Sequence, residues 1–379
     1  MTAVDTTTAS GGSPSAGPGR PRAGTRLDIG AVLLEGRAFI ALAVLIIIFA
    51  LLSDSFLTVN NLITMTKHVA YNAILALGML FVILTGGIDL SVGSIVGLSG
   101  ITAGVLLEGL QIDSFDVVLY PAVWVVVAAS LAIGTLVGLI NGILVTRFNV
   151  APFIATLGML YIARGAALLI SNGSTYPRLG GDPALGNTGY GSIGGGRLLG
   201  VPNGIWIMIL FALIAVLVLR RTPYGRWVYA TGGNQRAAEL AGVPIRRVKM
   251  WVYMISGFCA ATAGIILTSE LTSSAPQLGE SFELNAIAAV VIGGAALTGG
   301  RGNVRGVLLG AFVIGFLSDG LVIVGVSTFW QTAIKGAVII LAVILDQAQQ
   351  RIKRNKNAAI AAAGKAPPKK DSGTAVPAP

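Results

Sequence analysis

The feature that most restricts this chain is a succession of apolar runs parted by short polar breaks. The runs fall at 38–52, 69–85, 92–110, 118–145, 152–170, 204–219, 250–268, 284–300, 306–325 and 328–345. A straight helix needs about 20 apolar residues to cross a bilayer. Several runs are shorter, so their edges are expected to extend or their helices to be broken. Charged residues make up 11% of the chain, against about 25% in soluble domains, and mean hydropathy is +0.81. The expected fold is an all-α integral membrane protein, with about ten transmembrane helices over residues 37–346.

The formal net charge of +10 sits in loops and tails. Lys and Arg are retained on the cytoplasmic side of a membrane. Ten spans put both termini there, and the loops agree. Those predicted outside hold Glu108, Asp113 and Asp116, then Glu270, Glu280 and Glu283. Those predicted inside hold Arg147, the cluster at 220–250, and Arg301 with Arg305. The exception is the long, glycine-rich outer loop 171–203, with Arg178 and Arg197. It reads as ordered turns, a surface for a partner, a lid, or a tolerated insertion. Residues 1–36 are Thr/Ser/Gly/Pro/Ala-rich without an apolar signal core, and read as a disordered cytoplasmic tail. Residues 347–379 read as a basic, disordered cytoplasmic tail.

Several chemistries are excluded. Cys259 and His68 are the only residues of their types, which removes an intrachain disulfide, a Cys cluster and a multi-His metal site. No catalytic constellation or metal site is expected. There is no phosphate-cradling G-x-x-x-x-G-K-[ST] and no H-E-x-x-H, so neither a P-loop ATPase nor a zinc protease is supported. No basic-aromatic interleaving suggests nucleic-acid binding.

One long polar segment interrupts the apolar body. Residues 220–250 carry Arg220, Arg221, Arg226, Arg236, Arg246, Arg247 and Lys249 against one acid, Glu239. Within it, Asn234 to Gly242 has the signature of a short helix: a capping Asn, helix formers through Leu240, and a glycine stop. Such a helix between two spans suits docking of a soluble partner. A solvated loop that only sets topology fits equally well.

Small residues recur at four-residue spacing in three stripes: Gly134, Gly138 and Gly142; Gly302, Gly306 and Gly310; and Gly93 with Gly97. Such stripes let helices approach closely in lipid. Residues 72–98 also align with 285–311 at an offset of 213. The alignment brings Asn72-Ala73-Ile74 onto Asn285-Ala286-Ile287 and Leu84-Thr85-Gly86-Gly87 onto Leu297-Thr298-Gly299-Gly300. Paired interrupted segments of this kind point to a transport pathway, and under ten spans the two units run parallel. Asp89, between two runs, is expected to cap the following helix together with Ser91. Arg164, inside a run, is expected to snorkel to the outer interface. Asp319 and Lys335 lie at matched depth on adjacent spans and are expected to form a structural ion pair.

Four stretches together carry a family resemblance: LALGMLFVILTGGIDLSVGSIVGLSG, NGILVTRFNVAPFIATLGMLYIARG, TGGNQRAAELAGVPIRRVK and NAIAAVVIGGAALTGGRGNVRGVLLGA. With GVSTFWQTAIKGAVIILAV they span most of residues 60–345. The chain resembles the permease subunits of bacterial ATP-driven (ABC) importers for sugars, in the ribose/xylose/galactose branch. The resemblance implies an importer-permease fold in the bacterial cell membrane. It favours docking for the polar segment and assigns ATPase coupling to Gly232, Gly233, Asn234, Ala237, Ala238, Ala241 and Gly242. It implies a permease homodimer, an ATP-binding cassette ATPase carrying ATP-Mg, and an extracytoplasmic sugar-binding protein. The permease itself would hold no cofactor and catalyse no bond chemistry. Asn285 departs from the pattern, standing where Asp is expected in many relatives.

The substrate pathway is expected where the two repeat units break, at Thr85, Gly86, Gly87, Asp89, Ser91 and Gly93, and at Asn285, Thr298, Gly299 and Gly300. Broken helices expose backbone groups that lipid cannot satisfy. The rival is an ion-coupled secondary transporter working without an ATPase, which would need Asp89, Asp319 or Asp346 to face a cavity. A passive channel is a weaker rival.

Overall fold

The structure, a computed structural model, describes residues 37–112 and 117–363. The expected tail 1–36, the outer-loop acids Asp113 and Asp116, and residues 364–379 lie outside the described residues. The elements in chain order are α1 (Arg37–Leu52), α2 (Val59–Leu84), α3 (Val92–Glu108), the hairpin β1–β2 (Leu110–Ile112 and Val117–Leu119), α4 (Val123–Thr146) and α5 (Pro152–Ser171). After these come β3 (Tyr176–Pro177), the single turn α6 (Ser192–Gly195), β4–β5 (Arg197–Leu198 and Val201–Pro202), α7 (Asn203–Arg221), α8 (Pro223–Gly233) and α9 (Gln235–Leu240). The chain continues as α10 (Ile245–Leu271), β6 (Ser273–Ser274), α11 (Phe282–Ile292), α12 (Val304–Ile323) and α13 (Thr328–Ala363). Helices α2, α4, α5, α7, α10 and α12 are long and apolar enough to cross a membrane, and α1, α3, α11 and the first half of α13 are shorter apolar helices.

Local sequence sets the boundaries. Pro152 stands in the first turn of α5, where its missing N–H is harmless, and Asn172 closes that helix at φ 47°. Asn303 caps α12 by accepting from the Gly306 N–H at 2.7 Å. Helices α2 and α10 form the core and are buried along most of their length. Helices α4, α5 and α7 keep outward apolar faces, with Trp124, Leu136, Phe153, Ile154, Leu210 and Leu213 exposed, as lipid contact permits. The stripe Gly134, Gly138 and Gly142 packs α4 against α10: a methyl at Gly138 would collide with the Tyr253 carbonyl, and one at Gly142 would crowd the Met250 backbone.

The charges separate by end. Arg147, α8, α9, Arg301 and Arg305 gather at one end, linked by Gly142 against Met250 and by Tyr229 to Gly302. Glu270 lies at the far end of α10, about 40 Å away at 1.5 Å per residue, where it pairs with Lys67 at 2.8 Å. There β3 pairs antiparallel with β6, so the loop 171–203 is fastened to the chain following α10. Tyr190 is fully buried beneath that loop, its hydroxyl 2.7 Å from that of Thr268.

Beyond β6 the chain turns back into the bundle. Ser274 lies beside Gly100, the Pro276 and Leu278 carbonyls beside Gly97, and the Gly279 carbonyl beside Gly93. Residues 274–281 therefore descend along α3 before α11 begins at mid-depth. This corrects the expectation of one span at 284–300. Helix α11 has only 11 residues, about 16 Å, because it starts deep and stops at Gly293 and Gly294, the latter at φ 89°. Other stripes behave differently from expectation. Gly306 and Gly310 do receive α11, against the Gly293 and Ala289 carbonyls, whereas Gly302 precedes its helix. Gly93 and Gly97 admit the backbone of the descending segment, together with the Glu283 carboxylate at Gly93 and the Arg164 guanidinium at Gly97.

Two further corrections concern the termini of the body. Residues 347–363, expected to be disordered, continue α13 to Ala363, since Ala, Gln, Lys and Arg are strong helix formers. The helices of the two repeat units also end differently: α2 stops at Leu84, but α11 stops at Ile292, before the aligned Leu297.

Gly138→Leu is expected to lower the unfolding midpoint in detergent, by about 1–3 kcal/mol of overpacking strain. Gly158→Leu, on α5 with open space around it, is expected to be neutral. Thermal unfolding of the two variants measures the difference.

Candidate functional site

At the basic end, three glycine-bearing segments meet. Gly232, at the end of α8, lies against the Leu84 carbonyl and the Gly300 nitrogen, so closely that a side chain there would displace both. The Gly300 N–H donates to the Leu84 carbonyl at 2.9 Å, joining the two interrupted units. Gly299 packs against Gly86 and Gly232. Gly299 and Gly300 adopt φ of 89° and 72°, the left-handed region that side chains disfavour. Tyr229 on α8 donates to the Gly302 carbonyl at 2.8 Å, and Tyr224 to the Val248 carbonyl at 3.2 Å. Helix α8 is thereby held to both breaks and to α10.

The short helix expected at Asn234 to Gly242 is present as α9. Asn234 caps it, its side chain accepting from the Ala237 N–H at 3.0 Å, and Gly242 ends it at φ 84°. Lys249 reaches back to Gln235 at 2.8 Å. Gly233, Asn234, Ala237, Ala241 and Gly242 are exposed, Gly232 is half-buried, and Ala238 faces inward. Sequence reasoning passed over Leu240, which is 76% exposed on this helix. A large apolar side chain in the polar segment, beside Glu239, is its only signal.

The residues expected to line a pathway at the breaks are largely taken up within the chain. Thr85, Gly87, Asp89, Ser91, Gly93 and Gly299 are buried, Asn285 and Gly300 are half-buried, and Gly86 and Thr298 are exposed. Asp89 stands just ahead of the helix it was expected to cap: the N-cap of α3 is Ser91, with no side-chain capping bond, and Asp89 Oδ1 accepts from the Ser91 N–H at 3.0 Å and the Ser91 hydroxyl at 2.6 Å. Its other oxygen reaches further. Its Oδ2 accepts from Ser256 of α10 at 2.8 Å, while Asn141 of α4 donates to Ser91 at 2.8 Å. One carboxylate thus ties three helices at the start of α3.

Arg164 does not snorkel. Its Nη1 donates to the Pro276 carbonyl and, at 2.9 Å, to that of Leu278. The descending segment carries backbone acceptors that no helix satisfies, and a buried polar group without a partner is costly in lipid. The nearest cation therefore turns inward. Beside it opens a cleft of about 480 Å³, lined by Leu157, Tyr161 and Arg164 of α5 and by Gln277, Glu280 and Glu283 among others.

The expected Asp319–Lys335 pair is also corrected. Asp319 lies 3.2 Å from His68 Nδ1, and no ion pair with Lys335 forms within 4.0 Å among the described residues. His68 is on α2, which packs closely on α12, and it takes the position Lys335 was expected to hold.

A helical membrane body whose interrupted segments are tied to an exposed polar helix has the build of a transport subunit driven from one end. The comparisons agree. Residues 61–343 match the family described as branched-chain amino acid transport system / permease component, and the chain belongs to that family. It is 42% identical over 334 residues to the ribose import permease protein RbsC of Escherichia coli K12, covering 86% of this chain and 98% of the relative. It is 42% identical over 322 residues to RbsC of Bacillus subtilis, covering 85% and 95%. It is 34% identical over 314 residues to the L-arabinose ABC transporter permease protein AraH of Azospirillum brasilense, covering 82% and 88%. No solved structure matches the chain. The resemblance carried by the four sequence stretches is borne out.

Asp89→Ala leaves the Ser91 and Ser256 donors unpaired and is expected to cost about 1–3 kcal/mol for each donor left buried, read as a lower unfolding midpoint in detergent. A double-mutant cycle of His68→Gln with Asp319→Asn is expected to return a coupling of about 1 kcal/mol. The cycle of Lys335→Met with Asp319→Asn should return less.

Proposed function

We propose that the chain is the membrane permease of an ATP-driven importer that translocates a monosaccharide or sugar alcohol. The observation that carries this reading is the junction of Gly232 with Leu84 and Gly300, which links the exposed helix α9 to both interrupted segments. A rigid push on α9 is transmitted through backbone contact, with no long side chain to absorb it. The relatives that import ribose and arabinose support a sugar as cargo.

In this reading α9, with Leu240 as its apolar anchor, rests in a cleft of a cytoplasmic ATP-binding cassette ATPase. ATP-Mg binds and is hydrolysed on that partner, and the permease performs no bond chemistry. An extracytoplasmic binding protein delivers the sugar to the opposite, acidic end. Ten segments cross the bacterial cell membrane: the helices α1 to α5, α7, α10, α12 and α13, and the descending segment 274–281 joined to α11. Both termini are cytoplasmic, which places every arginine of 220–250, together with Arg147, Arg301 and Arg305, on the side where basic residues are retained. Two copies form the complete pathway. The polar cleft on the outward face of α5 supports a second copy there, because lipid cannot solvate its charges.

The ion-coupled alternative finds little support. Asp89 is enclosed by three hydrogen-bond donors and Asp319 is engaged by His68, so neither is free for a coupling ion. The side chain of Asp346 lies outside the described residues.

Leu240→Asp is expected to weaken retention of the ATPase about tenfold or more, as loss of a central apolar anchor does, with membrane insertion unchanged. Co-purification from detergent, with the ATPase quantified against the permease, measures it. Undiminished retention together with normal ATP-driven uptake counts against docking through α9.

A further inference from the structure

We propose that the cleft between α5 and the descending segment is a low-affinity transit site for a neutral, polyhydroxylated solute. This deepens the transport reading above and rests on it.

The cleft lies at membrane depth. It runs along α5 from Leu157 to Leu168, about 16 Å of a helix about 30 Å long. Level with it on α3 stand Gly93 and Gly97, in the first turns of that helix. A site at this depth lined by one arginine and two glutamates does not face hydrocarbon, so its open side meets water or protein. Non-helical backbone at membrane depth is tolerated where it is buried in protein or lines a watery cavity, and residues 274–281 do both. Its volume of about 480 Å³ falls within the ~300–1,000 Å³ of small-molecule clefts.

The lining selects the class of solute. Arg164 directs Nη1 at the Pro276 and Leu278 carbonyls, and Nη2 lies 3.5 Å from that of Gly93. Its charge holds the backbone and offers little to a bound anion. Glu280 and Glu283 form no ion pair within 4.0 Å among the described residues; the exposed Glu280 keeps its oxygens as acceptors, while the half-buried Glu283 turns one oxygen onto Gly93. Gln277 and Ser281 both donate and accept. Tyr161, 70% exposed, offers an apolar ring face beside a hydroxyl. Acceptors in excess, amide and hydroxyl donors, and one aromatic face suit a ring bearing several hydroxyls. The same excess of carboxylates repels an acid. Gln277, Glu280 and Ser281 are solvent-exposed, so contact with solute is brief, as passage requires.

The test uses the complete importer in proteoliposomes with its ATPase and binding protein. D-ribose and L-arabinose serve as probes and L-leucine as the amino-acid control. With Glu280→Gln and, separately, Tyr161→Ala, uptake of the transported pentose is expected to fall about fivefold to tenfold, the loss of a hydrogen bond or a ring contact. ATP hydrolysis stimulated by the binding protein should stay within about twofold of wild type, and so should the binding-protein concentration giving half-maximal stimulation. In Ser281→Cys, whose native Cys259 is buried and inert, a small polar thiol reagent should label the new thiol. A high concentration of pentose without binding protein should slow that labelling, and leucine should not. Wild-type uptake in both Glu280→Gln and Tyr161→Ala overturns the transit site and leaves the importer reading standing. So does a weaker response to binding protein alone, which would make the cleft a docking surface, or protection by leucine only. Failure of the wild-type assembly to take up either pentose, or any hexose or sugar alcohol of a panel tried beside them, on ATP overturns both readings.

Discussion

Backbone that leaves a helix inside a membrane has to find its hydrogen-bond partners in the protein, and this structure depends on how that demand is met. It arises at three places. After α2 the chain breaks, and the Leu84 carbonyl is met by the Gly300 N–H of the other unit. Before α3, Asp89 takes the Ser91 N–H. Between β6 and α11, the carbonyls of Pro276 and Leu278 are met by Arg164. The first and third join segments remote in sequence, and Asp89 does so through its second oxygen, which accepts from Ser256 of α10, so the breaks become the points where helices are fastened together.

Glycine makes these joints possible and gives them mechanical meaning. A contact of backbone on backbone, as at Gly232 with Leu84 and Gly300, has no rotamers to adjust. Movement of α8 is therefore passed to both interrupted units or breaks the contact. At the other end the descending segment is held against α3 by Gly93, Gly97 and Gly100, and by the single guanidinium of Arg164. One end is a rigid joint suited to receiving force. The other is a segment fastened by few bonds beside a polar cleft, suited to opening.

Much of this was legible in the sequence, and the part that was not has a common cause. The cap at Asn234, the stop at Gly242 and the stripe at Gly134 to Gly142 are local patterns, and each lies where its pattern placed it; most apolar runs are helices too, but the run at 284–300 is not one span. Arg164 was read by its distance from a span end because its true partners lie 112 and 114 residues away. Asp319 was matched to Lys335, its neighbour across a short turn, while its actual partner His68 is 251 residues distant. The shortness of α11 is foreshadowed by Pro276, Gly279 and Glu280 just ahead of it and Glu283 in its first turn. The sequence pattern assigns them to an outer loop, since periodicity carries no information on depth. Leu240 reads as one helix former among the alanines of α9.

The two ends differ in chemistry as well as in stiffness, and the difference bears on direction. A carrier that accepts cargo at one face and releases it at the other gains nothing from a tight site between them, because binding strength there slows departure. The buried carboxylate of Asp89 engages both oxygens with Ser91 and Ser256, and it sits between the cleft and the junction. Gln277, Glu280 and Ser281 on the cleft side are exposed, whereas beside Asp89 the Asn141 Oδ1 and the Tyr253 hydroxyl are buried without a partner among the described residues. In the proposed reading a hydroxylated solute entering from the acidic end meets the exposed Gln277, Glu280 and Ser281 first, and a way out past the junction needs the backbone contact of Gly232 with Leu84 and Gly300 to part.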